Sequence, residues 1–398
     1  MDKVIVLAAT INQLPIIRLL KELGVYVITV DNIPENIGHA EADKNYNLDI
    51  TDITKVFEIA QSEKIKAIIA AYTDVGVKTA SFVSEQLNLV GCNFQAAKTL
   101  TNKSEFRSFY KKEIDPHFLF KTFTKSEFKG WAQAKHESKW IVKPVDSSGS
   151  KGIEIISSDD NAAIIRAFDY SNKKQIIVEQ FHVGRQGTLE GFLSHGKLKL
   201  SLITNRLTAP APHVATQGHV FPSDFNAIEQ KEIEQVVLSI CTKLNINEGP
   251  LDVDFVFNEE GAHIIEMSPR LGGNNLSNFL EAVTKVDLRR MTVNYYLGEK
   301  VDNLDVQIEK NVKFVQWVMT SNTAGTLIYN SKKACEALEL EYVEELTIFE
   351  SSGSTVNKFT NGRDSYGFLI LKLPIEASIP TYLKELETFI ELKVESES

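Results

Sequence analysis

The first ninety or so residues constrain the fold most, because apolar stretches of strand length alternate there with helical faces. Val4 to Ala9 is an apolar run. Ile16, Leu19, Leu20 and Leu23 then fall at i, i+3, i+4 and i+7, and Gly24 stands where a left-handed glycine would end that helix. Val25–Asp31 is β-branched. Ile53, Val56, Phe57 and Ala60 repeat the helical spacing, Ile65–Ala71 is a third apolar run, and Val75–Leu87 a third helix. This order predicts a parallel sheet covered by helices on both faces. The first strand–helix turn, Ala8-Ala9-Thr10-Ile11-Asn12, has none of the glycines that bring backbone close to a pyrophosphate, so the unit reads as a bare sheet. Asp31, at a strand end, reads as a turn former.

A chain of 398 residues is too long for one ordinary core, and two or three packed units are expected: 1–95, α/β; 96–300, with 115–178 as a subdomain; and 301–398, mixed α+β. In the middle unit, Asn102 and Glu105 have capping-box spacing ahead of a helix carrying Phe106, Phe109 and Tyr110. Strands are expected at 140–145, 152–157 and 176–181, with a helix near 161–170. Further on come a hairpin through Ser194–Lys197, an amphipathic helix around Ile233–Leu244, and a second hairpin through Asn258–Gly261. The last unit should add strands at 314–319, 346–350 and 368–373, then a helix at 381–392.

The net charge of −10 argues against a general nucleic-acid binder, which needs a basic stripe. No apolar run approaches the roughly 20 residues of a membrane helix. The start lacks a basic n-region, and the three cysteines show no C-x-x-C spacing, so a reducing cytoplasm is the expected location.

Three features carry chemistry. In Trp140-Ile141-Val142-Lys143-Pro144-Val145-Asp146-Ser147-Ser148-Gly149-Ser150-Lys151-Gly152, a strand ends near a lysine and a loop of small residues follows. Such a loop can turn successive N–H groups toward a phosphate, with Lys143 adding a point charge; the plainer alternative is a mobile hairpin. Next, Ile176–Phe181 is an apolar strand carrying one acid, Glu179, followed by Gly184, Gln186 and Glu190. Its backbone can pair with an adenine edge and the polar groups with ribose hydroxyls, or it is an edge strand with solvated charges. Third, Asp252-Val253-Asp254-Phe255-Val256-Phe257 returns as His263-Ile264-Ile265-Glu266-Met267-Ser268-Pro269-Arg270. A five-residue loop sets Asp254 opposite Glu266, with Cβ atoms about 5 Å apart, whereas a four-residue loop sends them to opposite faces. Facing carboxylates repel unless a cation lies between, and two carboxylates plus phosphate oxygens suit magnesium. Arg270 then offers a fork for a phosphoryl or carboxylate oxygen.

Lysine strand, glycine loop, glutamate-bearing strand and E-x-x-x-R hairpin, in this order, resemble the ATP-grasp superfamily over roughly residues 1 to 390. The nearest patterns are those of carbamoyl-phosphate synthase large chains, biotin carboxylases, purine-pathway carboxylating enzymes and L-amino acid ligases. The resemblance implies two subdomains with antiparallel sheets clamping ATP, with Mg2+ (or Mn2+) on its phosphates. It implies Lys103 and Lys143 on the phosphates, Ser148, Gly149, Ser150 and Gly152 in the lid loop, and Glu179 and the Phe181 backbone at the adenine. Gln186 stands at a ribose position that is often glutamate. Asp254, Glu266 and Ser268 stand at the metal positions, and Arg270 at the transferred group.

The implied reaction joins a small-molecule carboxylate to an amine through an acyl phosphate, releasing ADP and phosphate. Alternatives are a carboxyphosphate- or formyl phosphate-forming purine-type enzyme, and a nucleotide-binding protein without turnover. For substrate, Gly272, Gly273 and Asn274 follow Arg270 and can hold a carboxylate, or simply open a helix capped by Asn274 or Asn275. The Pro-rich segment Arg206–Pro222, read as a loop, offers His213 or His219 as a base for the amine. Neither nucleic acid nor membrane is an expected partner, and a homodimer is the base-rate assembly.

Overall fold

A computed structural model describes residues 1–130, 139–147, 149–156, 160–209, 214–301 and 304–396. The N-terminal sheet is parallel, in the order Lys44–Asn47, Tyr26–Asp31, Lys3–Leu7, Ala67–Ile69. Helices Leu14–Glu22, Ile53–Glu63 and Asp74–Gln86 cover it. Three strands lie where the apolar runs predict. The fourth, Lys44–Asn47, is an edge strand with mostly exposed side chains, so it has no apolar run to announce it. Asp31 works as a turn residue, accepting from the Ala9 and Ile33 N–H groups at 2.8 Å each.

A second, antiparallel sheet runs Phe120–Thr124, Gln175–Gln180, Trp140–Pro144, Glu154–Ile156. The helix Asn161–Asp169 packs on it through a core of Trp140, Val142, Ile164, Phe168, Ile176 and Val178.

The largest sheet has eight antiparallel strands in the order Gly261–Ser268, Gly249–Asn258, Arg185–Ser194, Lys197–Thr208, Thr216–Phe221, Val312–Thr320, Ser365–Pro374, Val343–Ile348. It crosses the expected boundary at 300/301: Thr216–Phe221 pairs directly with Val312–Thr320. This revises the reading of Arg206–Pro222 as one loop. Lys197–Thr208 continues through Arg206, and Thr216–Phe221 is a strand in which Gly218 permits a close backbone approach, since a Cβ there would sit 2.4 Å from the Gln316 carbonyl oxygen. The helix Ala227–Lys243 covers one face, burying Ile233, Val237 and Ile240 against Leu189, Val253 and Phe255. On the other face, Phe192, Leu200 and Phe314 share a core with Leu276–Thr284, Leu288–Leu297 and the N-terminal Ile16 and Leu20. Among the described residues no helix is long and apolar enough to cross a membrane.

Candidate functional site

A cleft of about 610 Å³ opens between the two antiparallel sheets, the N-terminal unit and the C-terminal strands. Its floor is the polar face of three adjoining strands. Residues two apart on a strand share a face, so pairing builds two rows across the sheet: Thr188–Asp254–Glu266 and Glu190–Asp252–Ser268. The other face carries the apolar alternates Leu189, Val253 and Met267.

Asp254 does lie opposite Glu266, but not through a five-residue loop. The hairpin closes tightly, with Asn258 paired to Gly261, and that register runs through Phe255 and Ile264. A shift between Asp254 and Phe255 then leaves Ile265 as the extra residue and brings Glu266 opposite Asp254. Arg107 fixes this bulge by donating to the carbonyls of Ile264 at 2.7 Å and Ile265 at 2.8 Å.

The rest of the Arg107 guanidinium grips Glu179 at 2.7 and 3.1 Å, and Lys143 pairs with the same carboxylate. All three are buried. Burial works against the Glu179 charge, but Arg107 and Lys143 outweigh it and hold the carboxyl down at about 2. Burial lowers the Lys143 ammonium even with Glu179 beside it. Glu179 therefore anchors two cations, while the residues that follow it, Gln180, Phe181 and His182, line the cleft. The Phe181 N–H donates to the Lys139 carbonyl at 3.0 Å. His182 stacks on His263 with ring centroids 3.8 Å apart, and burial, reinforced by His263, depresses His182 to about 4.

Asp254 accepts from Thr188 Oγ1 at 2.6 Å and lies 3.4 Å from Arg206 Nε. Glu266 lines the cleft and makes no hydrogen bond or ion pair among the described residues. Two facing carboxylates, one of them uncommitted, are an oxygen donor set that fits a hard divalent cation such as magnesium. Ser268 is buried one row deeper, opposite Asp252, and does not line the cleft.

Arg270 is buried, its fork closed on Asp74 at 2.8 and 2.9 Å with Asp252 on Nη1. Burial opposes its charge, but these two acids hold the guanidinium well above its usual range. Glu190 sits beneath the next turn, accepting from the Gly272 N–H at 3.0 Å; burial, then Asp252, push its carboxyl well up. Gly272 lets the Glu190 carboxylate approach closely, since a Cβ would stand 2.4 Å from Glu190 Oε2. Gly273 and Asn274 line the cleft. Asn275 precedes the helix without capping it: its backbone is left-handed, at φ 65°, and its amide donates to Glu345 at 3.0 Å.

Lys103 begins the helix Lys103–Glu113 and donates to the Ser147 carbonyl at 2.7 Å, at the base of the small-residue loop. Asn102 caps that helix through Ser104 and Glu105, while Glu105 pairs with Lys98 rather than completing a capping box. Gly149, Ser150 and Lys151 face the cleft. Gly152 has φ +68°, and a Cβ there would strike the Tyr170 ring at 2.7 Å, so only glycine serves. Ser148 and His213 lie outside the described residues. Gln186 accepts from Arg206 at 2.9 Å.

His219 is on a strand rather than a loop, buried beside Thr204 Oγ1 at 3.2 Å. Burial depresses it to about 3, leaving a neutral imidazole that is a weak base. Phe349 also lines the cleft. Sequence reasoning missed Arg107, Asp74 and the Arg206 side chain as members of the site. Asp74 had a faint signal, an acid at a helix start, and Arg107 had only its place between Phe106 and Tyr110.

A family model described as an ATP-grasp domain matches residues 102–274. A phosphoribosylamine–glycine ligase from Methanococcus maripaludis is 23% identical over 381 residues, covering 85% of this chain and 82% of its own. The crystal structure of an L-amino acid ligase from Bacillus licheniformis superposes with a TM-score of 0.81 at 15% identity, covering 100% of this chain and 99% of that one. The biotin carboxylase domain of a Hydrogenobacter thermophilus 2-oxoglutarate carboxylase, solved as a dimer with MgADP, gives 0.69 at 15% identity, covering 99% of this chain and 91% of that one.

Proposed function

We propose that this chain, whose residues 102–274 match an ATP-grasp domain model, is an ATP-dependent carboxylate–amine ligase that works through an acyl phosphate. The observation that carries the reading is the pairing of Asp254 with Glu266 on the floor of the cleft that Lys103, Lys143 and the Gly149–Lys151 loop also line.

In this reading a substrate carboxylate oxygen attacks the γ-phosphorus of ATP, the bond to the bridging oxygen breaks, and ADP leaves. An amine then attacks the acyl carbon and phosphate departs with the electron pair. Both steps bring anionic groups together, so the protein contributes chiefly position and positive charge. Lys103, Lys143 and the loop N–H groups hold the phosphates. The segment Gln180–His182 receives the adenine, with the Phe181 carbonyl left to address the base, and Gln186 lies near the ribose. A divalent cation, magnesium or manganese, held by Asp254 and Glu266 would neutralise phosphate charge during transfer. Ser268, buried outside the cleft lining, does not reach the ion in this reading. Arg270, Gly273 and Asn274 line the acceptor side. His219, buried and neutral, is not the base for the amine in this reading; a substrate amine already in its free form needs none.

Purified protein incubated with Mg·ATP and pools of amino acids and small acids should release ADP and inorganic phosphate. AMP and pyrophosphate as products would overturn the acyl-phosphate route. Stimulation by bicarbonate or formate alone would move the protein to a carboxyphosphate or formyl phosphate chemistry.

A further inference from the structure

Most cations of the cleft are already engaged: Arg107 and Lys143 by Glu179, Arg206 by Asp254 and Gln186, Arg270 by Asp74 and Asp252. Lys103 donates to the Ser147 carbonyl. Lys151 and Arg363 differ. Both line the cleft, and among the described residues neither side chain has a hydrogen bond or ion pair.

These two side chains come from different units, and the contact between the units is built. The Asp364 carboxylate accepts from the Thr360 and Asn361 N–H groups at 2.9 and 3.1 Å and from the Thr360 hydroxyl at 2.8 Å, which knots residues 360–364 into a tight loop. At its tip the Gly362 N–H donates to the Gly149 carbonyl at 3.1 Å. The loop of the C-terminal strands is thereby latched to the small-residue loop, with Arg363 next to the latch. Burial, then the Arg363 charge, lowers the Lys151 ammonium, which places the two cations within electrostatic reach of each other. Two like charges held together at a cleft wall are unfavourable until an anion joins them. Phe349 and Phe368 form the apolar part of this wall, and Glu350 lines it as well.

Resting on the ligase reading above, we infer that Lys151 and Arg363 form an anion clamp for the second substrate, which carries a carboxylate or phosphate group besides the atoms that react. The clamp lies where the phosphate loop meets the acceptor side, so it selects the substrate rather than the nucleotide. Glu350, on the same wall, can take a positive group of that substrate.

The test uses the full chain loaded with Mg·AMP-PNP, titrated separately with inorganic phosphate and with succinate, and followed by thermal shift and calorimetry. Arg363→Ala and Lys151→Ala should each weaken the anion on the order of tenfold, the loss of one charge-assisted contact, and for Arg363→Ala the AMP-PNP affinity should change less than about twofold. Arg363→Lys, keeping charge without the fork, should fall between. Phosphate binding alone, or succinate binding alone, identifies the anionic group. Anion binding that ignores both substitutions overturns the clamp but leaves the ligase reading standing. Equal losses for AMP-PNP and the anion would assign Arg363 to the phosphates of ATP and likewise overturn it. Failure of wild-type protein to bind Mg·AMP-PNP removes the ligase reading, and the clamp with it.

Discussion

Asp254 faces Glu266 because one residue of the returning strand, Ile265, is spare. Without that irregularity the tight turn would set Asp254 opposite Ile265, and a one-residue slip sends a side chain to the other face of a sheet. Replacing Glu266 by Gln should therefore cut ADP formation by several orders of magnitude, each tenfold being about 1.4 kcal/mol of transition-state stabilisation. The fold should persist, since Glu266 makes no hydrogen bond among the described residues. Steady-state ADP release with circular dichroism as control checks this; near-normal turnover would remove the carboxylate pair from the mechanism.

Arg107 should be the most costly single truncation in the site. Arg107→Ala leaves Glu179 buried with one cation and frees the Ile264 and Ile265 carbonyls. Loss of one partner of a buried ion pair typically costs about 3–5 kcal/mol. Urea unfolding measures it, and Arg107→Lys should recover little, because an ammonium cannot span the carboxylate and both carbonyls.

Asp74 couples the first unit to the strands of the cleft floor through Arg270. Asp74→Asn keeps the shape but removes the charge that fixes the fork. We expect kcat to drop by roughly ten- to a hundredfold, corresponding to about 1.4–3 kcal/mol, with KM for ATP little changed. An equal rise in the KM for ATP would mean that Asp74 shapes the nucleotide site instead.

Stability should fall on acidification earlier than the carboxylates alone dictate. His219 is held neutral, at about 3 in the fold against 6.5 for an ordinary histidine. Its contribution is whole above about 6.5 and is lost as pH falls toward 3, because the unfolded chain takes up the proton first. His182, at about 4, acts in the same direction. The slope is at most about 1.4 kcal/mol per pH unit for each histidine. Urea unfolding of His219→Asn between about pH 6.5 and 4 should be flatter than wild type; parallel curves would count against the buried neutral ring.

Much of this architecture was legible from periodicity. Ile16, Leu19 and Leu20 announce their helix, and the apolar runs around Val4 and Ile68 their strands. Lys44–Asn47 was not, because an exposed edge strand leaves no hydrophobic trace. The facing acids were legible only on a guess about loop length, and the guess reached the right pairing through the wrong turn, since a bulge depends on Arg107 from a distant helix. Asp74 and Arg270 are 196 residues apart. Their contact is set by packing between units, which local spacing does not encode. His219 shows the converse error: a Pro-rich neighbourhood suggested a loop, whereas pairing with Val312–Thr320 made it a strand.

The eight-stranded sheet that runs past residue 300 sets a limit on dissection. Cutting the chain there would strip Val312–Thr320 from Thr216–Phe221 and bare a row of main-chain donors and acceptors beside the cleft floor. A shortened protein ending at that point is expected to self-associate, because strands of the last hundred residues share one sheet with the strands that hold Asp254 and Glu266.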